Sequence, residues 1–258
     1  MNDIVKSDSK FIAKCRKLQN HYRVNLLKVD AGKGPNKNSK LTLGNYVVGG
    51  EKNNLNFFND YTFRYAKQKV NEKHVNPDLT IDEYRLFNNL LSSMPMAFNL
   101  FGILRKILED NPEEASNICR QVFSGIHWFE KLLYIDLEFI PRPIEFYTND
   151  KSAFDVFIKG CDVNGKLGII TIETKYTDLL GSNSSMNNEK KIELLKSLKL
   201  VEESKIVYFE QKGFGQLERN FLLTLAYKVR NNIQHIEHIV LSPQEDKESI
   251  KEIVLFSK

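Results

Sequence analysis

Three ionisable side chains within residues 152–177 could act together chemically. They are Asp155, Glu173 and Lys175. Two carboxylates held close together on a half-buried surface repel each other and lose hydration, a cost that a bound divalent cation relieves. Mg²⁺ suits such a pair because it takes oxygen ligands and usually needs only one or two protein carboxylates. A lysine beside the ion can orient a water molecule or hold a phosphate oxygen, so the stretch predicts a metal-dependent active site.

The same stretch is typical of a β-hairpin, whose turn decides which side chains meet. Asp162 stands at the first turn position and Gly165 at the fourth, which favours a type I turn with a glycine bulge. With the resulting three-residue loop, counting back along both strands places Asp155 opposite Glu173. Residues opposite each other share a face of the sheet, and Lys175 joins that face by the period of two. A two-residue loop would instead shift the register by one residue and turn Asp155 to the other side.

Both faces of this hairpin carry apolar side chains. The face with the carboxylates has Phe157, Leu167 and Ile169 toward the turn, so we expect it to be partly covered. The opposite face is apolar throughout and is expected to be buried; it consists of Phe154, Val156, Ile158, Ile170 and Ile172.

The arrangement resembles the PD-(D/E)XK superfamily of restriction-endonuclease-like nucleases, in which an Asp begins the second core strand and Glu-x-Lys ends the third. Here the matching residues are Asp155 and Glu173-Thr174-Lys175. The triplet alone has little specificity, because it occurs by chance in many proteins. Further matches to a bacterial branch of the superfamily cover most of the chain: Arg16, Gln19 and Arg23, then Ser92-Ser93, then Phe98-Asn99-Leu100-Phe101, and finally Gln216, Leu217, Arg219 and Asn220. The chain departs from that branch at Met94-Pro95, where a Gln more usually follows the serines.

The resemblance implies a Mg²⁺-dependent nuclease that hydrolyses phosphodiester bonds, with double-stranded DNA as the expected substrate and Mn²⁺ as the alternative ion. It implies that Asp155 and Glu173 are metal ligands together with the carbonyl of Thr174. Lys175 would orient the attacking water or stabilise the transition state. The alternative is a nucleic-acid-binding module with the same fold and no cleavage activity. The intact Asp, Glu and Lys argue against that alternative, because clustered carboxylates facing an anionic backbone oppose binding.

Polar side chains recur on one stripe of the helix expected over residues 213–230. Gln216, Arg219 and Asn220 follow helical spacing, which suits positioning of a phosphate or of the active-site lysine; a solvated polar face is an equally good interpretation. The predicted nucleic-acid-binding or supporting residues are therefore these three and four others that the resemblance adds: Ser93, Asn99, Arg16 and Arg23.

Positive charge is concentrated in the first part of the chain. The net charge is +4, but residues 1–40 hold ten Lys or Arg against three Asp. Such a basic segment suits contact with nucleic acid, and a solvated arm is an interpretation of equal weight. The sequence contains neither a long apolar run nor an apolar signal region at its start, so we expect a cytoplasmic protein without membrane association. Homodimerisation is left open.

The order of predicted elements is helices, a strand, the acidic hairpin, helices and a strand. This order predicts an α/β fold, with a restriction-endonuclease-like core whose central mixed β-sheet is flanked by helices and a mainly helical basic N-terminal extension. A chain of 258 residues with 41% hydrophobic content suits one compact unit. Within it we assign residues 1–78 to the extension and residues 79–258 to the nuclease-like core.

Several local expectations can be compared directly with a structure. Thr80 and Glu83 form a capping box that predicts the start of a helix. Glu138, in the predicted strand 133–139, is either an additional acid of the site or, as we favour, a solvent-facing residue. The remaining expectations are a loop at 181–188, a helix at 189–203, a strand at 238–242 and a last strand at 250–256.

Overall fold

The computed structural model describes residues 5–76, 78–178, 192–196 and 215–257. It has a mixed α/β architecture with a four-stranded sheet flanked by helices, as predicted. No helix in these residues is long and apolar enough to cross a membrane. The helices are α1 (Lys10–Tyr22), α2 (Gly50–Asn53), α3 (Asp60–Val75), α4 (Glu83–Asn88), α5 (Ser93–Asp110), α6 (Pro112–Val122), α7 (Gln216–Arg230) and α8 (Lys247–Phe256), and the strands are β1 (Ala31–Lys33), β2 (Thr42–Val47), β3 (Lys131–Phe139), β4 (Phe154–Cys161), β5 (Leu167–Thr174) and β6 (His235–Leu241).

Two compact units can be distinguished from the internal contacts of the chain. The first comprises Met1–Ile103, Thr174–Asp178 and Ser242–Lys247, and the second comprises Leu104–Glu173, Leu179–Leu241 and Glu248–Lys258. The long segment of the first unit ends inside α5, whereas the sequence interpretation divided the chain at residue 78. The assignment of residues 1–78 and 79–258 to an extension and a core stays a prediction.

In the first unit, α1 begins at Ser9, whose hydroxyl accepts the N–H of Ile12 (3.3 Å). The helix continues as a π-helical turn, Arg23–Leu27. Strands β1 and β2 pair in an antiparallel ribbon. The core of this unit is aromatic, with ring centroids 5.7 to 6.3 Å apart among Phe57, Phe63, Phe87 and Phe98.

Helix α4 begins later than the predicted capping box. Its N-cap is Asp82, whose carboxylate accepts the N–H of Arg85 at 3.0 Å. The prediction of a start at Thr80 is wrong because Ile81 is buried before the helix begins. Asp82 is as good an N-cap as Thr80, and it leaves Ile81 free to pack.

In the second unit, the strands lie in the order β3-β4-β5-β6. Strands β3, β4 and β5 are successively antiparallel. Strand β6 is parallel to β5. The N–H of Gln234 donates to the carbonyl of Leu167 (3.0 Å), and further along both strands the hydroxyl of Thr171 donates to the carbonyl of Glu237 (3.3 Å). The sheet is therefore mixed.

Helix α7 covers the sheet in the second unit. Its Leu223 and Tyr227 pack with Phe157 and Ile169 of the hairpin, and the rings of Tyr227 and Phe157 lie 4.9 Å apart. These contacts bury the face of the hairpin on which the carboxylates are predicted.

The last element is a helix, so the prediction of a strand at residues 250–256 is wrong. Ile253 and Phe256 of α8 pack on Leu217 of α7, and Phe256 also meets Phe221 edge to face. The apolar residues of this segment stand three apart, which puts them on one side of a helix.

The segment between the hairpin and α7 is described only in part. The predicted loop at 181–188 lies outside the described residues. Of the predicted helix at 189–203, residues 192–196 are described, and they are helical.

Candidate active site

The turn between β4 and β5 has the predicted three-residue form. The N–H of Gly165 donates to the carbonyl of Asp162 (2.9 Å), and the N–H of Asp162 donates to the carbonyl of Lys166 (3.0 Å). Gly165 has a φ of +76°, which glycine adopts readily. The Asp162 carboxylate accepts the N–H groups of Asn164 and Lys166 at 2.8 and 2.9 Å. Asp162 therefore holds the turn, and the turn sets the register of both strands.

That register brings Asp155 and Glu173 opposite each other. Val156 pairs with Ile172, and the same count continued by one residue pairs Asp155 with Glu173. Phe157, two residues from Asp155, packs under α7, so alternation places Asp155 on the side of the sheet that α7 covers. Glu173 is 1% exposed, whereas Asp155 is half-buried.

The Glu173 carboxylate accepts a hydrogen bond from a residue of α7. The side-chain amide of Asn220 donates to Glu173 Oε2, and Asn220 is itself buried. A carboxylate removed from water needs such donors, and a hydrogen bond to a charged group is stronger than one between neutral groups. Sequence reasoning had placed Asn220 on a stripe that supports the site, and the structure brings it into contact with Glu173.

A buried polar network continues from Asn220 into the sheet. Thr224, one turn later, donates to the carbonyl of Asn220 (2.8 Å). The hydroxyls of Thr224 and Thr171 lie 2.8 Å apart, and Thr171 lies 2.9 Å from Nδ1 of His238 on β6. Both threonines are fully buried. The network links α7, β5 and β6 at Thr171, two residues before Glu173. It therefore fixes α7, which carries Asn220, against the sheet.

His238, a half-buried residue, ends this network. Its Nε2 is buried and has no hydrogen-bond partner among the described residues. Burial lowers the pKa of His238 to about 4, because removal from water disfavours the charged imidazolium. His238 is therefore neutral at pH 7. Sequence reasoning missed both His238 and Thr224, which stand on separate elements and form no local motif.

The segment that follows Glu173 is fixed on both sides of Lys175. The hydroxyl of Thr174 donates to the carbonyl of Ser93 (3.4 Å), and the hydroxyl of Thr177 donates to the carbonyl of Leu91 (3.0 Å). Lys175 lies between these anchors and is 3% exposed. The anchors on both sides therefore set the main-chain position of Lys175, and its burial restricts the side chain.

Ser93 contributes to this arrangement through its main chain. Its N–H donates to the carboxylate of Asp178 (2.9 Å), and Arg85 forms an ion pair with the same carboxylate (2.5 Å). Arg85 also donates to the hydroxyl of Ser92 (2.8 Å). The predicted supporting residue Ser93 is thus in contact with the segment that carries Lys175. Arg85 and Asp178 were not predicted, because they are far apart in the sequence.

Arg16 and Arg23 have structural partners within the first unit. Arg16 binds the carboxylate of Asp8 through two nitrogens, at 2.7 and 3.0 Å, and the side chain of Asn45 through a third. Arg23 donates to the carbonyl of Gly44 at 2.9 Å. Both guanidinium groups are buried. They attach α1 and the π-helical turn to β2, and their predicted role toward the site or nucleic acid stays a prediction.

The other predicted supporting residues lie in different places. Asn99 bonds the main chain of Asn56 and Phe58, both at 2.9 Å, in the first unit. Gln216 and Arg219 are half-buried at the start of α7, within one turn of Asn220. Their roles toward a phosphate stay predictions.

Glu138 was expected to face solvent, and this expectation is wrong. Glu138 is 5% exposed and has a φ of +49°, a left-handed conformation that is uncommon outside glycine. Strand β3 is an edge strand, but Leu137 pairs with Val156 and Phe139 with Phe154, so Glu138 stands beside Asp155 in register. The left-handed conformation of Glu138 breaks the regular alternation of the strand, and Leu137 and Glu138 are both buried.

The donors at this site suit a hard divalent cation. Within the part of the chain that the structure describes, no group of three or more His, Cys, Asp or Glu residues could hold a metal ion. The candidate donors are the two carboxylates, Asp155 and Glu173; the carbonyl of Thr174 is a third that the resemblance implies. All are oxygens, and few come from the protein, as is usual for Mg²⁺ with water and phosphate as its other ligands. The residues fit that ion.

Comparison with known proteins identifies the family. No curated protein and no solved structure gave a significant match. A family model of the PD-(D/E)XK nuclease superfamily matches residues 6–257, nearly the whole chain, in agreement with the mixed sheet and the acidic hairpin described above. The chain belongs to the PD-(D/E)XK nuclease superfamily.

Proposed function

We propose that the protein is a Mg²⁺-dependent nuclease that hydrolyses phosphodiester bonds of DNA at the Asp155–Glu173 pair. The proposal is carried by one observation: Glu173 is buried opposite a second carboxylate and receives the amide of Asn220. Burying a carboxylate beside another one destabilises a fold. Such an arrangement is expected where function requires it.

In this proposal Asp155 and Glu173 hold the ion with the carbonyl of Thr174. When bound, the ion supplies positive charge that polarises the scissile phosphate and makes a water molecule more acidic. Asn220 keeps the Glu173 carboxylate in place. The half-buried Asp155 is the ligand on the more open side of the pair.

Lys175 has the role of orienting the water or stabilising negative charge on the phosphate. Its near-complete burial supports this role, because a charge shielded from water interacts more strongly with a neighbouring anion. The anchors at Thr174 and Thr177 preorganise it, so little ordering remains to be done when substrate binds.

Exposed lysines of the basic segment support a nucleic-acid substrate. Arg16 and Arg23 are buried and bind partners within the first unit, but Lys10, Lys17 and Lys40 are exposed. Exposed cations of this kind can neutralise backbone phosphates and release counterions.

The test of this function is a cleavage screen with purified full-length protein. Supercoiled plasmid, linear duplex, single-stranded DNA and RNA are each incubated with Mg²⁺, Mn²⁺ or EDTA. We expect cutting of DNA with Mg²⁺ or Mn²⁺ and none with EDTA. Binding of DNA without cutting under any of these conditions would favour a binding module, and cutting of RNA alone would change the substrate.

A further inference from the structure

The first unit contains a half-open cavity of about 430 Å³, within the size range of small-ligand sites. Three segments that the sequence analysis singled out meet in its wall, represented by Gln19, Ser92 and Asn99. Tyr176, which follows Lys175 in the chain, completes the wall, and Gln19 donates to its hydroxyl (3.1 Å). The cavity is thus built partly from the segment that carries the candidate catalytic lysine.

An exposed aromatic side chain stands at this cavity on a fixed main chain. Phe58 is 77% exposed and contributes to the wall. Its N–H donates to Asn99 (2.9 Å), and Asn99 in turn donates to the carbonyl of Asn56 (2.9 Å). The next residue, Asn59, caps α3 through the N–H of Thr62 (2.9 Å). The main chain at Phe58 is therefore fixed while its ring stays exposed to solvent. A ring placed in this way can stack on a flat ligand with little further loss of conformational entropy.

Two more apolar side chains of α1 widen this surface. Leu18 is 61% exposed and Tyr22 is 38% exposed, and both line the cavity. Three exposed apolar side chains around one cavity favour a site of interaction over isolated surface residues.

The charge distribution indicates the kind of ligand. Among the described residues that line the cavity, none carries a charge, and amide and hydroxyl groups are interspersed with the apolar ones. Lys17, adjacent in sequence to Leu18, is exposed. A neutral, planar, hydrogen-bonding group attached to an anionic backbone matches both features: the group suits the uncharged cavity and the backbone suits the exposed lysine.

We propose that this cavity binds one unpaired nucleobase of a DNA strand, stacked on Phe58. The inference rests on the proposed function, since it assumes a nucleic-acid substrate. It adds that the protein prefers an end or a displaced strand, where a base is available without first breaking a pair.

The test compares two single-stranded probes in EDTA, so that nothing is cut. One probe is a short oligothymidylate, and the other is an abasic oligonucleotide of the same length and backbone charge. By fluorescence anisotropy, the wild-type protein should bind the first roughly tenfold more tightly, the range expected for one stacked base. Phe58→Ala should lose this preference by weakening only the oligothymidylate complex.

Two further variants separate stacking from a general effect on the fold. Phe58→Trp should keep the preference, because the larger ring stacks at least as well. Phe146→Ala, a change at an exposed Phe outside the cavity, should behave as the wild type does. Circular dichroism of each variant shows that the fold is intact.

The outcomes distinguish this inference from the proposed function. If the wild type shows no preference, or if Phe58→Ala retains it, the cavity does not bind a base and a protein partner becomes its better occupant; plasmid cleavage with Mg²⁺ can still be present. If the preference is present and depends on Phe58 but no DNA is cut with any divalent ion, the base site stands and the nuclease proposal fails.

Discussion

At the scale of single residues, the contact between Asn220 and Glu173 explains how a carboxylate can be kept inside the sheet. The side-chain amide of Asn220 donates a hydrogen bond to one oxygen of Glu173. The polar network between α7 and the sheet keeps Asn220 in place. The catalytic proposal depends on this arrangement, because a loosely held carboxylate would be a poor metal ligand.

Replacing Asn220 with Leu should therefore weaken both the fold and the metal site. Loss of a buried hydrogen bond to a charged group is worth about 1.5 to 3 kcal/mol, and removing a group that orients a metal ligand typically weakens metal binding about 10- to 100-fold. Urea unfolding without metal and calorimetric titration of Mg²⁺ measure the two effects. Asn38→Leu, at an exposed Asn in the first unit, serves as the control. Equal behaviour of both variants and the wild type would show that Asn220 does not support the site.

Burial of His238 gives a second residue-scale prediction. The pKa of His238 is about 4 in the folded protein and near 6.5 in the unfolded chain, so the unfolded chain takes up a proton first as the pH falls. The stabilising contribution is therefore present above pH 6.5 and is lost between pH 6.5 and about 4, by up to roughly 3 kcal/mol.

Urea unfolding of wild type and His238→Gln across this range tests the prediction. Gln does not titrate, so the difference in unfolding free energy between the two proteins should change with pH by that amount. His21→Gln, at an exposed His, should leave the wild-type curve unchanged. A constant difference between wild type and His238→Gln would mean that His238 is not buried in this way.

At the scale of elements, the hairpin was predictable and the surrounding network was not. Asp162 and Gly165 encode the turn within a few residues, and the register of both strands follows from it. The supports of the site come from distant segments, such as Arg85 with Asp178 and Thr171 with His238. No local pattern marks such pairs, because they exist only after the elements pack.

The last helix shows a different limit. Residues 250–256 contain two Ile, one Val and one Phe, residue types that favour strands, so the sequence predicts a strand here. Helix α8 forms because α7 offers an apolar surface at Leu217 and Phe221, and packing overrides a weak intrinsic preference.

The position of β5 against the loop after α6 can be tested at one glycine. A Cβ added to Gly168 would lie 2.3 Å from the ring of Trp128, so Gly168→Ala should destabilise the protein by about 1 to 3 kcal/mol through overpacking. Gly125→Ala is the matched control, since a Cβ there meets nothing within 4 Å. Unfolding midpoints in urea compare the two, and an equal effect at both positions would contradict the packing of Trp128 on β5.

At the scale of the whole molecule, the basic segment is part of the folded first unit. Helix α1 is attached by buried arginines, so a deletion of residues 1–40 would remove structure as well as charge. Neutralising exposed lysines separates the two effects.

The variant with Lys10, Lys17 and Lys40 changed to Gln should bind DNA more weakly and with a flatter dependence on salt. For every phosphate that is no longer neutralised by a lysine, the slope of log K against log salt should become shallower by about 0.9. The control changes the same number of exposed lysines in the second unit, at Lys131, Lys166 and Lys251. If the first variant keeps the wild-type slope, the basic segment is only a solvated surface.

The most direct test of the active-site proposal combines calorimetric titration of Mg²⁺ with DNA binding and cleavage for Asp155→Ala, Glu173→Ala and Lys175→Ala. We predict that the two acid variants lose metal binding and cleavage and keep or increase their affinity for DNA, because a negative charge facing the phosphates has gone. Lys175→Ala should bind metal as the wild type does, lose cleavage and bind DNA somewhat more weakly. Equal cutting by the wild type and all three variants would contradict the assignment of the active site to these residues.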